Sequence, residues 1–380
     1  MARTVFFHIG LPKTGTTYLQ TIMWKNRERL LAQGILLPGT SVREHLWASA
    51  VVREDPKISR RTRQAPGAWD RIVAEVNDWP DTAVISHEFF AGASAEQAAC
   101  AIAALADAEV HVVVTARDTV TLLTARWQEF VKNGATARID QYPASETTNP
   151  RNEWDWGTMD TADVLRRWGA GLSPERVHVI TLPKPGDPRD LLWRRFAGVV
   201  GIDPDCCDST GSTRNESLGV VEVELLRRVN DRLDGFTSAF DRGVWIRGYL
   251  AQEKLGDRNG EKFWPARERV EELRERGLRT VEALRAGGYD VVCDLEDLKP
   301  HGSLPDRRHP DSVTDAELVD AATATIADML CDVRRLTREA KAAQRALRRM
   351  EAPAPQRQVR RRLPGVRTLA RLARRLRRIR

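Results

Sequence analysis

The stretch His8-Ile9-Gly10-Leu11-Pro12-Lys13-Thr14-Gly15-Thr16-Thr17 gathers two glycines, a lysine and three threonines, a set whose chemistry is that of holding an anion. Residues 3–9 (RTVFFHI) read as a short apolar strand and residues 18–31 as a helix, so the glycine-bearing turn lies between a strand end and a helix N-terminus. Glycines let successive N–H groups curl inward, and the free amides and dipole of the helix that follows favour negative charge. The spacing Gly10-x4-Gly15 is that of a nucleotide-binding P-loop, but a loop for ATP needs lysine directly after the second glycine and then Ser or Thr for magnesium. Thr16 fills the lysine slot, and Lys13 lies inside the bend, placed for an anion shorter than a triphosphate tail.

Pro12-Lys13-Thr14-Gly15-Thr16-Thr17 after a strand resembles the 5′-phosphosulfate loop of sulfotransferases that use 3′-phosphoadenosine 5′-phosphosulfate (PAPS). The resemblance is strongest over residues 5–20 and 110–132 and extends more weakly through Arg214-Asn-Glu-Ser-Leu-Gly219 towards Leu298. It implies PAPS as donor, no metal, and a phosphate cradle of Lys13, Thr14, Gly15, Thr16 and Thr17, with Lys13 neutralising charge on the leaving phosphate. Thr115-Ala-Arg117 resembles the family's 3′-phosphate motif, in which an arginine precedes a serine by eight positions. Arg117 suits the role because a guanidinium holds phosphate bidentately. The serine position is Ala125 in this chain, so the hydroxyl contact falls either to Thr124, after a small helix rotation, or to another group.

Sulfuryl transfer also needs a base for the acceptor hydroxyl or amine, placed opposite the leaving group. Val84-Ile-Ser-His87-Glu88 offers two adjacent candidates at a strand end, and the family uses a glutamate in some members and a histidine in others. Glu88 is the favoured base because it can turn inward while His87 packs, and either residue could instead cap the next helix. His87-Glu88 is not half of an HExxH metal site, since residue 91 is alanine. Lys132, Arg126 and Gln128 are further candidates to line the pocket, or else a solvated helix face, and His45 and Trp47 to shape the acceptor side.

These residues need a frame to bring them together. Apolar strands at 3–9, 34–38, 82–86, 109–116 and 176–182 alternate with helices at 69–79, 95–106, 119–133, 161–171 and 189–200. Continuously apolar strands alternating with helices predict an α/β fold, a mainly parallel sheet with helices on both faces, P-loop NTPase-like under the resemblance. Ligands in such sheets gather at the carboxyl ends of strands, where residues 8–13, 86–88 and Arg117 fall. The stretch 40–68 reads as a polar surface excursion and 141–160 as a loop. Residues 216–289 read as mostly helical, ahead of a long C-terminal helix.

The chain divides, on sequence, into an α/β domain at 1–300, a proline-bearing linker at 301–313, a heptad-patterned helix at 314–351, and a Pro-containing, basic tail at 352–380. Val319, Ala322, Ile326, Met329, Val333, Leu336, Ala340, Ala343, Leu347 and Met350 make a heptad seam, serving either self-association or packing on the chain's own domain. The net charge is +7, and the eleven arginines of residues 357–380 account for more than all of it, leaving −4 for residues 1–356. That removes the case for specific nucleic-acid binding by the main domain. The tail, with apolar residues on one face and arginines around the rest, suits an anionic membrane surface.

Five scattered cysteines without CxxC spacing point to a reducing compartment, and with no secretory leader or spanning segment the expected location is cytoplasmic, peripheral at the membrane through the tail. The function expected is sulfuryl transfer from PAPS to a sugar or other small acceptor. The rivals are a P-loop kinase acting on a small molecule, disfavoured by the displaced lysine, and a non-enzymatic scaffold at the membrane surface.

Overall fold

In β1 (Thr4–His8) every residue after the first is buried, and alternate side chains enter different cores. Val5 and Phe7 join one cluster and Phe6 another, so both faces of the strand are covered. Such a strand belongs at the centre of a sheet with helices on both sides. The computed structural model describes residues 3–105, 107–143, 153–184, 186–210, 217–258, 260–299 and 304–351. The described residues fall into two units, one up to Thr325 and one from Ile326.

The first unit is α/β. Strands β1, β2 (Ile35–Leu36), β3 (Thr82–Ser86), β4 (Glu109–Ala116), β5 (Val177–Thr181) and β6 (Asp290–Val292) form one sheet in the order β2-β3-β1-β4-β5-β6. Every pairing is parallel. Between β1 and β2 run α1 (Thr16–Lys25) and α2 (Arg27–Leu31), and between β2 and β3 run α3 (Val42–Val52) and α4 (Ala68–Asp78). Next come α5 (Ala95–Ala103) before β4, then α6 (Thr119–Lys132) and α7 (Thr161–Trp168) before β5. The long β5–β6 connection holds α8 (Leu191–Val200), α9 (Val220–Asn230), α10 (Ala239–Asp241), a π-helical segment Arg242–Lys254, and α11 (Arg267–Gly287). α12 (Asp315–Glu351) ends the described chain, and its residues from Ile326 onward are the described part of the second unit.

β1 has β3 on one side and β4 on the other, so the chain passes over β1 between them and the connections diverge there. In open parallel sheets such a switch point leaves a crevice at the strands' carboxyl ends. The bend after β1 and the residues after β4 flank it. On one face Phe7 meets Phe90 edge-on at 4.8 Å and Trp168 at the same separation. On the other, Phe6, Leu19, Ile22 and Met23 pack with Trp193 and Phe196 of α8.

Several boundaries differ from the sequence reading for identifiable reasons. The helix expected over 18–31 is two helices broken at Asn26, whose side-chain amide donates to Ile22 O and Asp208 O. The stretch 40–68 contains α3, whose buried face holds Glu44, His45 and Ser49, so its periodicity is disguised by polar residues that find internal partners. β6 lay hidden at the end of a helical run because it is three residues long and only half buried. Of the segment read as a linker, residues 304–313 pack on the first unit: Phe263 bridges to Arg308, and the Arg308 guanidinium pairs with Glu317 at 2.7 Å. Residues 301–303 and the tail 352–380, with its membrane-surface reading, lie outside the described residues.

Gly10 has φ +56°, and a Cβ there would come within 2.5 Å of Thr16 Cγ2 and 3.2 Å of Glu88 Cα. Gly10→Ala therefore pays backbone strain and a close contact together, and should destabilise the chain by about 1–3 kcal/mol. The check is a lower denaturant midpoint at unchanged m-value; an unaltered midpoint would mean that the bend relaxes freely.

Candidate active site

The bend is held from within by one hydroxyl. Thr14 Oγ1 donates to Leu11 O at 2.5 Å and accepts from Leu11 N at 3.2 Å, and it lies 2.7 Å from Thr115 Oγ1 on β4. Thr14 is fully buried, so its side chain ties the bend to the sheet and does not face a ligand. Gly10, Lys13 and Gly15 all have positive φ, +56°, +70° and +82°. For Lys13 that conformation is unusual in a non-glycine residue and is imposed by the turn on either side.

Gly15 is the N-cap of α1, and no side chain caps the helix. Among the described residues the N–H groups of Gly15, Thr16, Thr17 and Tyr18 meet no acceptor. Four consecutive open donors at a helix start, beside a cation, are the physical requirements of a phosphate cradle. Thr16 is buried and Thr17 is exposed.

The Lys13 amine turns toward α6 and meets Glu129 Oε2 at 2.7 Å. Glu129 Oε1 in turn meets Arg247 of the π-helical segment at 2.8 Å. Burial pushes the Glu129 carboxyl up, but Lys13 and Arg247 together outweigh it and hold the group below the ordinary carboxylate range. Sequence reasoning missed both partners. Glu129 sits on the helix already singled out, but nothing local marks it as facing the bend.

Glu88 begins the short helix Glu88–Gly92 after β3, next to Gly10. Its Oε2 accepts from Gln20 Nε2 of α1 at 3.2 Å. Burial raises the Glu88 pKa, yet His87, the residue's own backbone N–H and Gln20 bring it below normal, so the carboxylate is ionised at neutral pH. His87 takes the capping role: its Nδ1 accepts from Phe89 N at 3.1 Å, and burial lowers its pKa. Two further buried histidines support this corner. His8 Nδ1 is 2.8 Å from Ser86 Oγ, and His45 lies against Pro38 O and Ser86 on opposite ring nitrogens. Burial brings each to about 4, so both rings are neutral at pH 7. Trp47 is half buried and packs against the core.

Arg117 follows β4 and lines a cleft with Trp156, Met159, Asp160 and Arg276, none of them in the bend. Its guanidinium has no hydrogen-bond partner among the described residues, and burial lowers its pKa. The Thr14–Thr115 contact keeps the bend within two residues of it. Thr124 Oγ1 donates to Val120 O at 2.9 Å, back onto its own helix. Arg126 is spent on Thr158 and Glu153 O beneath Trp154, and Gln128 brackets the backbone of Leu218. Lys132 is buried. No group of three or more His, Cys, Asp or Glu able to hold a metal occurs among the described residues, and none of their helices is long and apolar enough to cross a membrane.

No family model matches the chain, and no curated protein matches it. Among solved structures, the crystal structure of a sulfotransferase from Alicyclobacillus acidocaldarius is similar at 20% identity, covering 57% of this chain and 88% of that one, with a TM-score of 0.38.

The Lys13–Glu129–Arg247 cluster has a signed pH dependence. Glu129 has a folded pKa below its unfolded one, so its contribution is complete above the ordinary carboxylate value and is lost as pH falls through the depressed one. Glu129→Gln should cost on the order of 1–2 kcal/mol at pH 7, and the gap to wild type should close towards pH 3. Denaturant midpoints at pH 7, 5 and 3 measure it; a gap that stays constant would assign the loss to packing.

Proposed function

We propose that this protein is a PAPS-dependent sulfotransferase acting on a hydroxyl or amine of a sugar or other small acceptor. The observation that carries the reading is the bend 10–17: four unengaged N–H groups and an interior lysine at the carboxyl edge of a parallel sheet, with an ionised carboxylate beside Gly10. PAPS, when bound, supplies the sulfuryl group. Gly15, Thr16 and Thr17 hold its 5′-phosphate through their amides and the two hydroxyls, and Lys13 offsets charge on the bridging oxygen as the S–O bond breaks. Glu88 accepts the acceptor's proton as its oxygen or nitrogen attacks sulfur. His87 serves by fixing the turn that presents Glu88, since its Nδ1 is already engaged.

Arg117 is the candidate for the 3′-phosphate, supported by its unengaged, desolvated guanidinium near the switch point. Thr124 is a poorer candidate for the accompanying hydroxyl because it is bonded to Val120.

Calorimetry with adenosine 3′,5′-bisphosphate in the absence of metal tests the donor half. Binding should be measurable for wild type and at least tenfold weaker for Lys13→Ala; binding of ATP only with magnesium would overturn the reading in favour of a kinase. With labelled PAPS and a panel of acceptors, Glu88→Gln should lower kcat roughly 100-fold or more while leaving bisphosphate affinity within a few-fold. An unchanged kcat would remove Glu88 as the base.

A further inference from the structure

α12 uses one stripe to meet its own domain and leaves another uncovered. Leu318, Ala321 and Thr325 are buried, and the Arg258 guanidinium reaches Ala321 O and Thr325 Oγ1. Those positions are spaced three and four apart and use up the helix's inward face within the first unit. The heptad seam runs along a different line. Val319, Ile326, Val333 and Leu347 are 65%, 57%, 58% and 56% exposed, and Met329 and Leu336 are exposed between them. The α12 residues that pack within the first unit are therefore not those of the seam, and an apolar line over four heptads is costly in water unless covered.

We propose that residues 319–347 pair with the same residues of a second copy as a parallel two-stranded coiled coil. Assigning Val319, Ile326, Val333, Ala340 and Leu347 to heptad position a places Ala322, Met329, Leu336 and Ala343 at d. Three β-branched residues at a, with Met and Leu at the central d positions, favour two strands. Charge sets the direction. Asp332 and Glu339 occupy successive g positions, and Thr337 and Gln344 the e positions five residues after each. A parallel pair sets each acid beside an uncharged residue of the other helix, whereas an antiparallel pair sets Asp332 against Glu339 twice. Within each helix Arg335 bridges these acids, at 3.1 Å to Asp332 and 3.3 Å to Glu339, and so fixes the flank away from the seam. Arg334, Arg338, Lys341 and Arg345 fall at b and f, on the outside of such a pair.

The full chain should sediment at twice its monomer mass at about 10 µM and return to monomer mass in Ile326→Asp/Val333→Asp. Both residues are exposed, so unchanged far-UV circular dichroism apart from the C-terminal helix serves as the folding control. A monomer at that concentration, or a dimer indifferent to the double substitution, would overturn the proposal. Orientation is read separately with Ala322→Cys in a Cys331→Ser background: oxidation should give a 322–322 disulfide by peptide mapping in the parallel pair. A dimer that yields no such cross-link, where the antiparallel arrangement holds the two ends of the seam roughly 40 Å apart, would overturn the parallel assignment.

Discussion

The buried hydroxyl of Thr14 anchors everything at the crevice. By donating to Leu11 O and lying against Thr115, it closes the bend on itself and fastens it to β4. The left-handed turns at Gly10, Lys13 and Gly15 then follow from geometry, since the chain must reverse from strand to helix in a few residues. With that path fixed, α1 starts with its first amides open and the lysine is projected sideways towards α6 instead of forward along the strand.

Two carboxylates flank this bend and are held ionised by different means. Glu88 rests on Gln20 and the nearby His87, while Glu129 is shared by two cations. The His8 and His45 rings add no charge, because burial keeps both neutral at pH 7. The local field at the bend is therefore set by a few charges and by the backbone dipoles of the α1 N-terminus.

Much of the frame could be read in advance because β1, β3, β4 and β5 are buried on both faces, which writes an unbroken apolar run into the sequence. The bend was legible because glycine adopts the left-handed φ that a tight strand-to-helix reversal needs, so the two glycines mark the turn in the sequence. Partners distant along the chain were not legible. The Lys13–Glu129 pair joins residues 116 positions apart, and the wall of Trp156 and Arg276 beside Arg117 is assembled from three separate segments. α3 was obscured because His45 and Glu44, polar in type, are core residues whose bonding is satisfied by Pro38, Ser86, Thr40 and Arg71. The prolines before α12 suggested a tether, and the Arg308–Glu317 pair that joins this stretch to the start of α12 has no local mark in the sequence.

The carboxylate already seated on Lys13 sets an entry threshold. Under the proposed function, an anion reaching Lys13 has to displace Glu129, so part of its attraction to the lysine goes into the exchange and its net affinity is lowered. A small monoanion that touches only the amine gains little from the swap. Under the same reading, a molecule that also engages the amides of residues 15–18 gains donors that meet no acceptor among the described residues, which would bias the resting chain against simple ions.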